Sequence, residues 1–257
     1  MTFLAGLILF IAAILGGALN SVAGGGSFFT FPSLIFSGVP PIQANATSTV
    51  ALWPGSVAST SAYRKELATQ NRLFILLLGG ISLIGGVLGA ILLLRTPQAT
   101  FVRLIPYLLL LATLLFAFSP IITSLLRKRA DKTQKTAFTW PALVGISLFQ
   151  LVIATYGGYF GGGIGIMILA ALGLMGMENI HEMNALKTVL QASINGVAVI
   201  TFIIAGAVVW LQAIVMVAGA IVGGFAGAYY ARKLDPRLVR VFVILVGVCL
   251  TIYFFVK

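Results

Sequence analysis

Of the 257 residues, 60% are hydrophobic and only 8% charged, more apolar material than a water-soluble core of this length can hide, so the chain reads as an integral membrane protein. A net charge of +11 would suit nucleic acid, but the basic residues stand at the ends of apolar runs with no aromatic-interleaved basic domain; they are topology signals, and nucleic acid is excluded as a partner. The single cysteine, Cys249, lies inside the last apolar run, which leaves no intramolecular disulfide and no cysteine metal cluster.

The first run, MTFLAGLILFIAAILGGALN, lacks the basic n-region of a cleaved signal and is expected to stay as a helix over Phe3 to Val22. It stops at three glycines and a serine, Gly24, Gly25, Gly26 and Ser27. The apolar piece that follows, Phe28 to Phe36, has roughly ten residues. At ~1.5 Å each these cover about half of a ~30 Å hydrocarbon layer, which predicts a half-helix. Beyond Pro40 and Pro41 a helix is expected with Asn45, Ser48, Thr49, Leu52 and Ser56 on one face, interrupted at Pro54, whose missing N–H frees a carbonyl. Phe74 to Leu94 and Leu104 to Ser119 approach or reach the ~20 residues of a membrane-crossing helix and lack the alternation of barrel strands.

A polar stretch, RKRADKTQKT (Arg127 to Thr136), then divides the chain into an expected first unit, 1–126, a basic cytoplasmic linker, 127–139, and a second unit, 140–257. The second unit opens with a helix over Trp140 to Phe160, a break at Gly161 to Gly163 and a short apolar piece, Ile166 to Leu174. A loop with Glu178, His181 and Glu182 leads into a helix bearing Asn184, Lys187, Thr188, Gln191 and Asn195 at i, i+3, i+4, i+7 and i+11, one polar stripe. Apolar runs from Trp210 to Ala231 and from Leu238 to Val256 complete it.

The halves repeat each other. At a shift of 138, AGGGSFFTFP (Ala23 to Pro32) falls on GGGIGIMILA (Gly161 to Ala170), which pairs Ser27 with Gly165. At 139, NATSTVAL (Asn45 to Leu52) falls on NALKTVLQ (Asn184 to Gln191), and GGVLGA (Gly85 to Ala90) falls on GGFAGA (Gly223 to Ala228) back at 138. Blocks in one order at nearly one offset mark a duplication. Counting each short piece as a crossing gives five per unit and turns the second unit upside down. The loops Arg64 to Arg72, Arg127 to Lys135 and Arg232 to Arg240 then share a side, with three, five and four basic residues, against Arg95, Arg103 and Lys257. Treating the short pieces as re-entrant splits the charges eight to seven, so the positive-inside rule favours inversion, with both termini outside. The expected fold is an all-α polytopic membrane protein of two pseudo-symmetric, inverted repeats, each of four long helices plus one short half-helix after a Gly-rich break.

Inverted repeats with broken helices build midplane transport sites, because a helix that begins inside the membrane offers free N–H groups and a positive dipole end to an anion. The expected substrate-binding residues are Gly24, Gly25, Gly26, Ser27, Asn45, Ser48 and Thr49 from the first unit. From the second they are Gly162, Gly163, Gly165, Asn184, Lys187, Thr188 and Gln191. Lys187 is the candidate counter-charge, since an intramembrane lysine is costly and by default functional. No metal or cofactor is expected.

Plainer readings compete. Glycine runs can serve close helix packing, though three in succession lack a one-face spacing; Gly85, Gly86 and Gly89, with Gly223, Gly224 and Gly227, do have that spacing and read as packing residues. Lys187 could snorkel to the interface, His181, Glu178 and Glu182 read as solvated, and Trp53 and Trp140 could anchor at the bilayer surface. An intramembrane serine hydrolase with Ser27 and His181 is disfavoured because Ser27 is matched by a glycine and no intramembrane acid orients the histidine. An anion channel lined by the same groups stays open as the alternative to a carrier.

Together, AGGGSFFTFP, GVPPIQANATS, GGYFGGGIGIMILAALGLMG and NALKTVLQASINGVA resemble the sulfite exporter TauE/SafE family over nearly the whole chain. The resemblance implies a multi-pass permease of the bacterial inner membrane that moves small inorganic or organic sulfur-containing anions, sulfite or organosulfonates, usually outward. It places the paired signatures on Gly24 to Ser27 with Asn45 to Thr49, and on Gly161 to Gly165 with Asn184 to Thr188. One departure is Ala170, where the first motif has Pro32. Partners are then the anion and membrane lipid, with a homodimer left open.

Overall fold

The computed structural model describes residues 2–23, 25–68, 70–130, 140–175, 177, 179–230 and 236–256. Among them lie eleven helices and no strand: α1 (Phe3–Ala23), α2 (Ser27–Phe36), α3 (Pro41–Ala62), α4 (Arg64–Ala68), α5 (Arg72–Arg95), α6 (Gln98–Ala130), α7 (Trp140–Tyr159), α8 (Ile164–Leu174), α9 (Ile180–Ile204), α10 (Trp210–Tyr230) and α11 (Pro236–Val256). Four carry segments long and apolar enough to cross a membrane: Phe3–Asn20, Arg72–Arg95, Gln98–Ser119 and Glu182–Ile204. The half-helices α2 and α8 have 10 and 11 residues. They start at Ser27 and Ile164, slightly before the expected Phe28 and Ile166.

Four elements differ from expectation; one is α9, which begins at Ile180, so that His181 and Glu182, expected in the preceding loop, lie in its first turn. The helix read as broken at Pro54 runs through it as the 22-residue α3. A proline ring removes only the bond to the carbonyl four residues earlier, and α3 is held along its length by α9 and α10. The segment read as a loop after Tyr63 contains the short helix α4. The helix expected over Leu104 to Ser119 is longer at both ends, and α6 reaches Ala130; the remainder of the linker, with Gly24 and Glu178, lies outside the described residues.

Packing follows the small residues. α1 lies against α10, and α7 against α5. At the first contact Gly17 faces Ala220 and Gly223 faces Ile14; at the second Gly85 faces Ala154, and Gly89 faces the backbone from Thr155 to Tyr159. Lipid tails are as apolar as leucine, so close van der Waals contact between such surfaces is what holds membrane helices together. α3 crosses α9, and α6 pairs with α11. Each half-helix is wedged between its neighbours, α2 against α1 and α3, α8 against α7 and α9. Phe28, Phe31 and Leu34 of α2 are buried in one core with Phe101, Ile105 and Phe116 of α6, whereas Ile164, Ile168 and Leu172 of α8 are buried in a second core with Ile153, Leu186 and Ile194. Phe225, Ile204 and Leu73 are exposed, as side chains that meet lipid should be.

Candidate functional site

Glycine makes each break geometrically possible. Gly26 caps α2 with helical φ/ψ of −56° and −30°, and a Cβ there would strike the Gly16 carbonyl and Leu52. Gly163 caps α8 with φ 74° and ψ 5°, a left-handed conformation that other residues adopt only with strain. Neither half-helix has a side-chain N-cap; the break carbonyls take most of the first N–H groups instead, Phe28 and Phe29 donating to Gly25 and Gly26 at 3.1 Å, and Ile164 and Ile166 to Gly161 and Gly163 at 3.4 and 3.1 Å. The Tyr156 hydroxyl donates to the Gly162 carbonyl at 2.7 Å and fixes the second break. At the first, Thr30 Oγ1 donates to the Gly26 carbonyl at 3.2 Å and lies 2.6 Å from Ser48 Oγ, which ties α2 to α3.

Polar bonds also join the two halves of the chain. Asn45 Nδ2 donates to the Tyr159 carbonyl at 2.9 Å, at the end of α7. Trp53 Nε1 donates to the Ala192 carbonyl at 3.1 Å, and the ring packs on Gly196. Trp53 is therefore a link between α3 and α9, not the interface anchor the sequence suggested: Gly196 leaves room for the indole, and the Ala192 carbonyl accepts a hydrogen bond from its N–H. Gln191 Nε2 donates to Asn20 Oδ1 at 3.4 Å, Asn20 Nδ2 donates to Ser56 Oγ at 3.1 Å, and Ser56 Oγ donates to the Leu52 carbonyl at 3.5 Å. This relay runs from α9 through α1 to α3.

A small cavity sits beside the relay, lined by Asn20, Ser27, Thr49, Leu52, Phe160, Gly161, Gln191 and Asn195. Its free space is about that of one water molecule. Of the residues singled out from sequence, it gathers Ser27, Thr49 and Gln191. Asn45 and Ser48 are spent on the bonds above, and Thr188 Oγ1 donates to the Ala185 carbonyl at 2.7 Å. Gly25 is buried against Phe116, Gly162 and Gly163 lie near Ala112 of α6, Gly165 is buried in the first turn of α8, and Asn184 is half-buried on α9. Lys187 is only 7% exposed and does not line the cavity. It stands one helical turn from Gln191, about 6 Å along the α9 axis, and makes no hydrogen bond or ion pair among the described residues. The side chains of His181 and Trp140 lie outside the described residues.

Asn20 and Phe160 are lining residues that sequence reasoning missed. Asn20 had one signal, an amide in an otherwise apolar helix; Phe160 had none, because an aromatic before a glycine run is unremarkable in a membrane segment. Asn195 belonged to the polar stripe, but only the structure selects it from that stripe.

A bundle of apolar helices, two of them half-length and one of these, α2, bringing Ser27 to a cavity lined by polar side chains, defines a multi-pass membrane protein. The chain belongs to the sulfite exporter TauE/SafE family, whose model matches residues 9–254. It is 29% identical over 245 residues to a "Probable membrane transporter protein" of Haemophilus influenzae, covering 95% of this chain and 92% of that one. It is 28% identical over 246 residues to "Probable membrane transporter protein ORF9" of Sinorhizobium sp, covering 95% and 90%. With "Probable membrane transporter protein YfcA" of Escherichia coli it shares 26% over 242 residues, 93% and 86% of the two chains. No solved structure matches significantly. The protein is a membrane transporter of this family and not an enzyme.

Proposed function

We propose that the protein is a secondary transporter that exports small sulfur-containing anions, sulfite or organosulfonates, across a bacterial inner membrane. It works as two inverted repeats, 1–126 and 140–257, joined by the basic segment 127–139. The observation that carries this reading is the cavity, to which residues 20, 27 and 49 come from one repeat and residues 161, 191 and 195 from the other. Shared construction of this kind lets a rocking of one repeat against the other expose one site to alternate sides.

The helix pairings support the two-fold relation. Exchanging the repeats turns the α1–α10 contact into α7–α5 and α3–α10 into α9–α5, while α3–α9 and α6–α11 map onto themselves. The chemistry of the lining supports an anion, since amide donors and the Ser27 hydroxyl lie beside the N-terminus of α2, Thr49 Oγ1 donating instead to the Asn45 carbonyl at 2.9 Å, and a buried lysine lies one turn away. The family's description supplies sulfite as the first substrate to try. With room for about one water, the cavity is too small for any of these anions as it stands, and loading requires the repeats to part.

Proteoliposomes test the reading. Saturable sulfite or sulfonate flux, with counterflow driven by unlabelled anion, is expected of a carrier. Flux that stays linear in concentration without counterflow would replace the carrier with a channel, and no anion flux would end the anion reading.

A further inference from the structure

Among the groups around the cavity, Asn195 stands apart. It is 9% exposed, lines the cavity and makes no hydrogen bond among the described residues. A buried amide in a native protein nearly always has partners, and one left without them beside a cavity is available to a ligand. Its neighbours are held: the relay uses one N–H of Gln191 and one of Asn20, which leaves each amide nitrogen a second hydrogen. The cavity wall itself holds no charged side chain. Lys187, the charged residue within the buried set of the described residues, supplies one positive charge a helical turn away.

From this set of groups we infer that the site selects monoanionic oxyanions over dianions, with Asn195 as a ligand-contacting and specificity-determining residue. The inference rests on the anion-transporter reading and narrows its substrate class. The cost of removing an ion from water grows with the square of its charge, so a dianion gives up about four times the hydration of a monoanion of similar size. Neutral amide and hydroxyl donors with a single nearby cation can offset one negative charge and leave the second uncompensated. Asn195 contributes through its amide nitrogen, whose two hydrogens can both be donated to the oxygens of one anion.

Methanesulfonate and sulfate make the test, because both are tetrahedral and of similar size and they differ by one charge. Each is titrated against the purified full-length protein in detergent, with calorimetry or the shift in melting temperature as readout. Methanesulfonate is expected to bind at least tenfold more tightly than sulfate. Asn195→Leu is expected to weaken methanesulfonate binding by about ten- to a hundredfold, the range for a hydrogen bond to a charged partner. Should that variant fail to fold, Asn195→Asp keeps the side-chain shape and is expected to abolish methanesulfonate binding through like-charge repulsion. Sulfate binding as tight as methanesulfonate, or either variant binding like the wild type, would overturn the inference and leave the anion reading intact. Binding of neither anion would overturn both.

Discussion

Gly89→Ala is a single-methyl perturbation whose effect can be worked from contacts. A Cβ at Gly89 would meet the Thr155 carbonyl, lie 2.7 Å from the Tyr159 nitrogen and 2.9 Å from the Gly158 carbonyl carbon. All three atoms are backbone, so no side chain can rotate away and α5 and α7 must separate. Overpacking of this kind costs about 1–3 kcal/mol, against which alanine regains about 1 kcal/mol of helix propensity. Gly79 is the internal control, in the same helix but with nothing within 4 Å of its Cβ position; Gly79→Ala keeps the propensity gain alone. The two variants should therefore differ by about 1–3 kcal/mol in stability, with Gly89→Ala below Gly79→Ala in melting temperature by several degrees. Transport should divide the same way, because the displaced segment of α7 leads directly into Phe160 and Gly161 on the cavity wall. Thermal unfolding in detergent and flux in proteoliposomes are the assays. Equal melting temperatures would show that α5 and α7 do not pack at this distance, and normal flux despite a lowered melting temperature would detach the second break from the site.

Other substitutions probe the site directly. Ser27→Ala should reduce sulfite flux in proteoliposomes about two- to tenfold without abolishing it, as expected for loss of one hydroxyl contact; complete loss would give Ser27 a chemical role that no carrier requires. Lys187→Met should weaken methanesulfonate binding by calorimetry about tenfold or more, whereas Arg103→Met, at an exposed position on α6, should change it little; equal effects would make Lys187 a packing or snorkelling residue. A C-terminal tag should be accessible from outside intact cells, and protection there with exposure in inverted vesicles would exclude the proposed inversion.

The backbone architecture was largely legible because it is written in run lengths and glycines. Two short apolar pieces after glycine runs became α2 and α8 within a residue or two, and Gly85, Gly86 and Gly89 of α5 and Gly223 of α10 became close helix contacts, while Gly224 has only the Gly17 carbonyl at 3.9 Å. The site was less legible, for a physical reason. A polar stripe such as Asn184, Lys187, Thr188, Gln191 and Asn195 declares a face of a helix but not the depth at which that face meets a cavity, and the cavity takes only the far end, Gln191 and Asn195. Asn20 was passed over for the opposite reason: a lone amide in an apolar helix is a signal without a period, and its meaning comes from Gln191 and Ser56, which are distant in sequence. Trp53 was misread because an indole near polar residues suits a bilayer surface as well as it suits a carbonyl on a neighbouring helix.

In the duplicated arrangement proposed here, the copies have diverged into unequal roles. The first half-helix, SFFTFPSLIF, carries three hydroxyls, and Thr30 uses one to bind Ser48 of the following helix at 2.6 Å. The matching positions in the second unit are Ile168 and Lys187, and α8, IGIMILAALGL, has no hydroxyl, amide or charged side chain. α2 is thus pinned to its neighbour by a directional bond, whereas α8 is seated by apolar contacts alone, which tolerate sliding better than a short hydrogen bond does. The residue that took the place of Ser48 is the buried lysine. One copy consequently supplies a fixed frame, with Ser27 at the tip of α2. The other supplies the free amide Asn195, the relay amide Gln191 and the charge of Lys187, on the helix packed against the looser half-helix. A transporter built this way keeps the pseudo-symmetry it needs to open to both sides while placing selectivity mainly in one copy, so variants at Ser56 should tolerate change better than those at the matched Asn195.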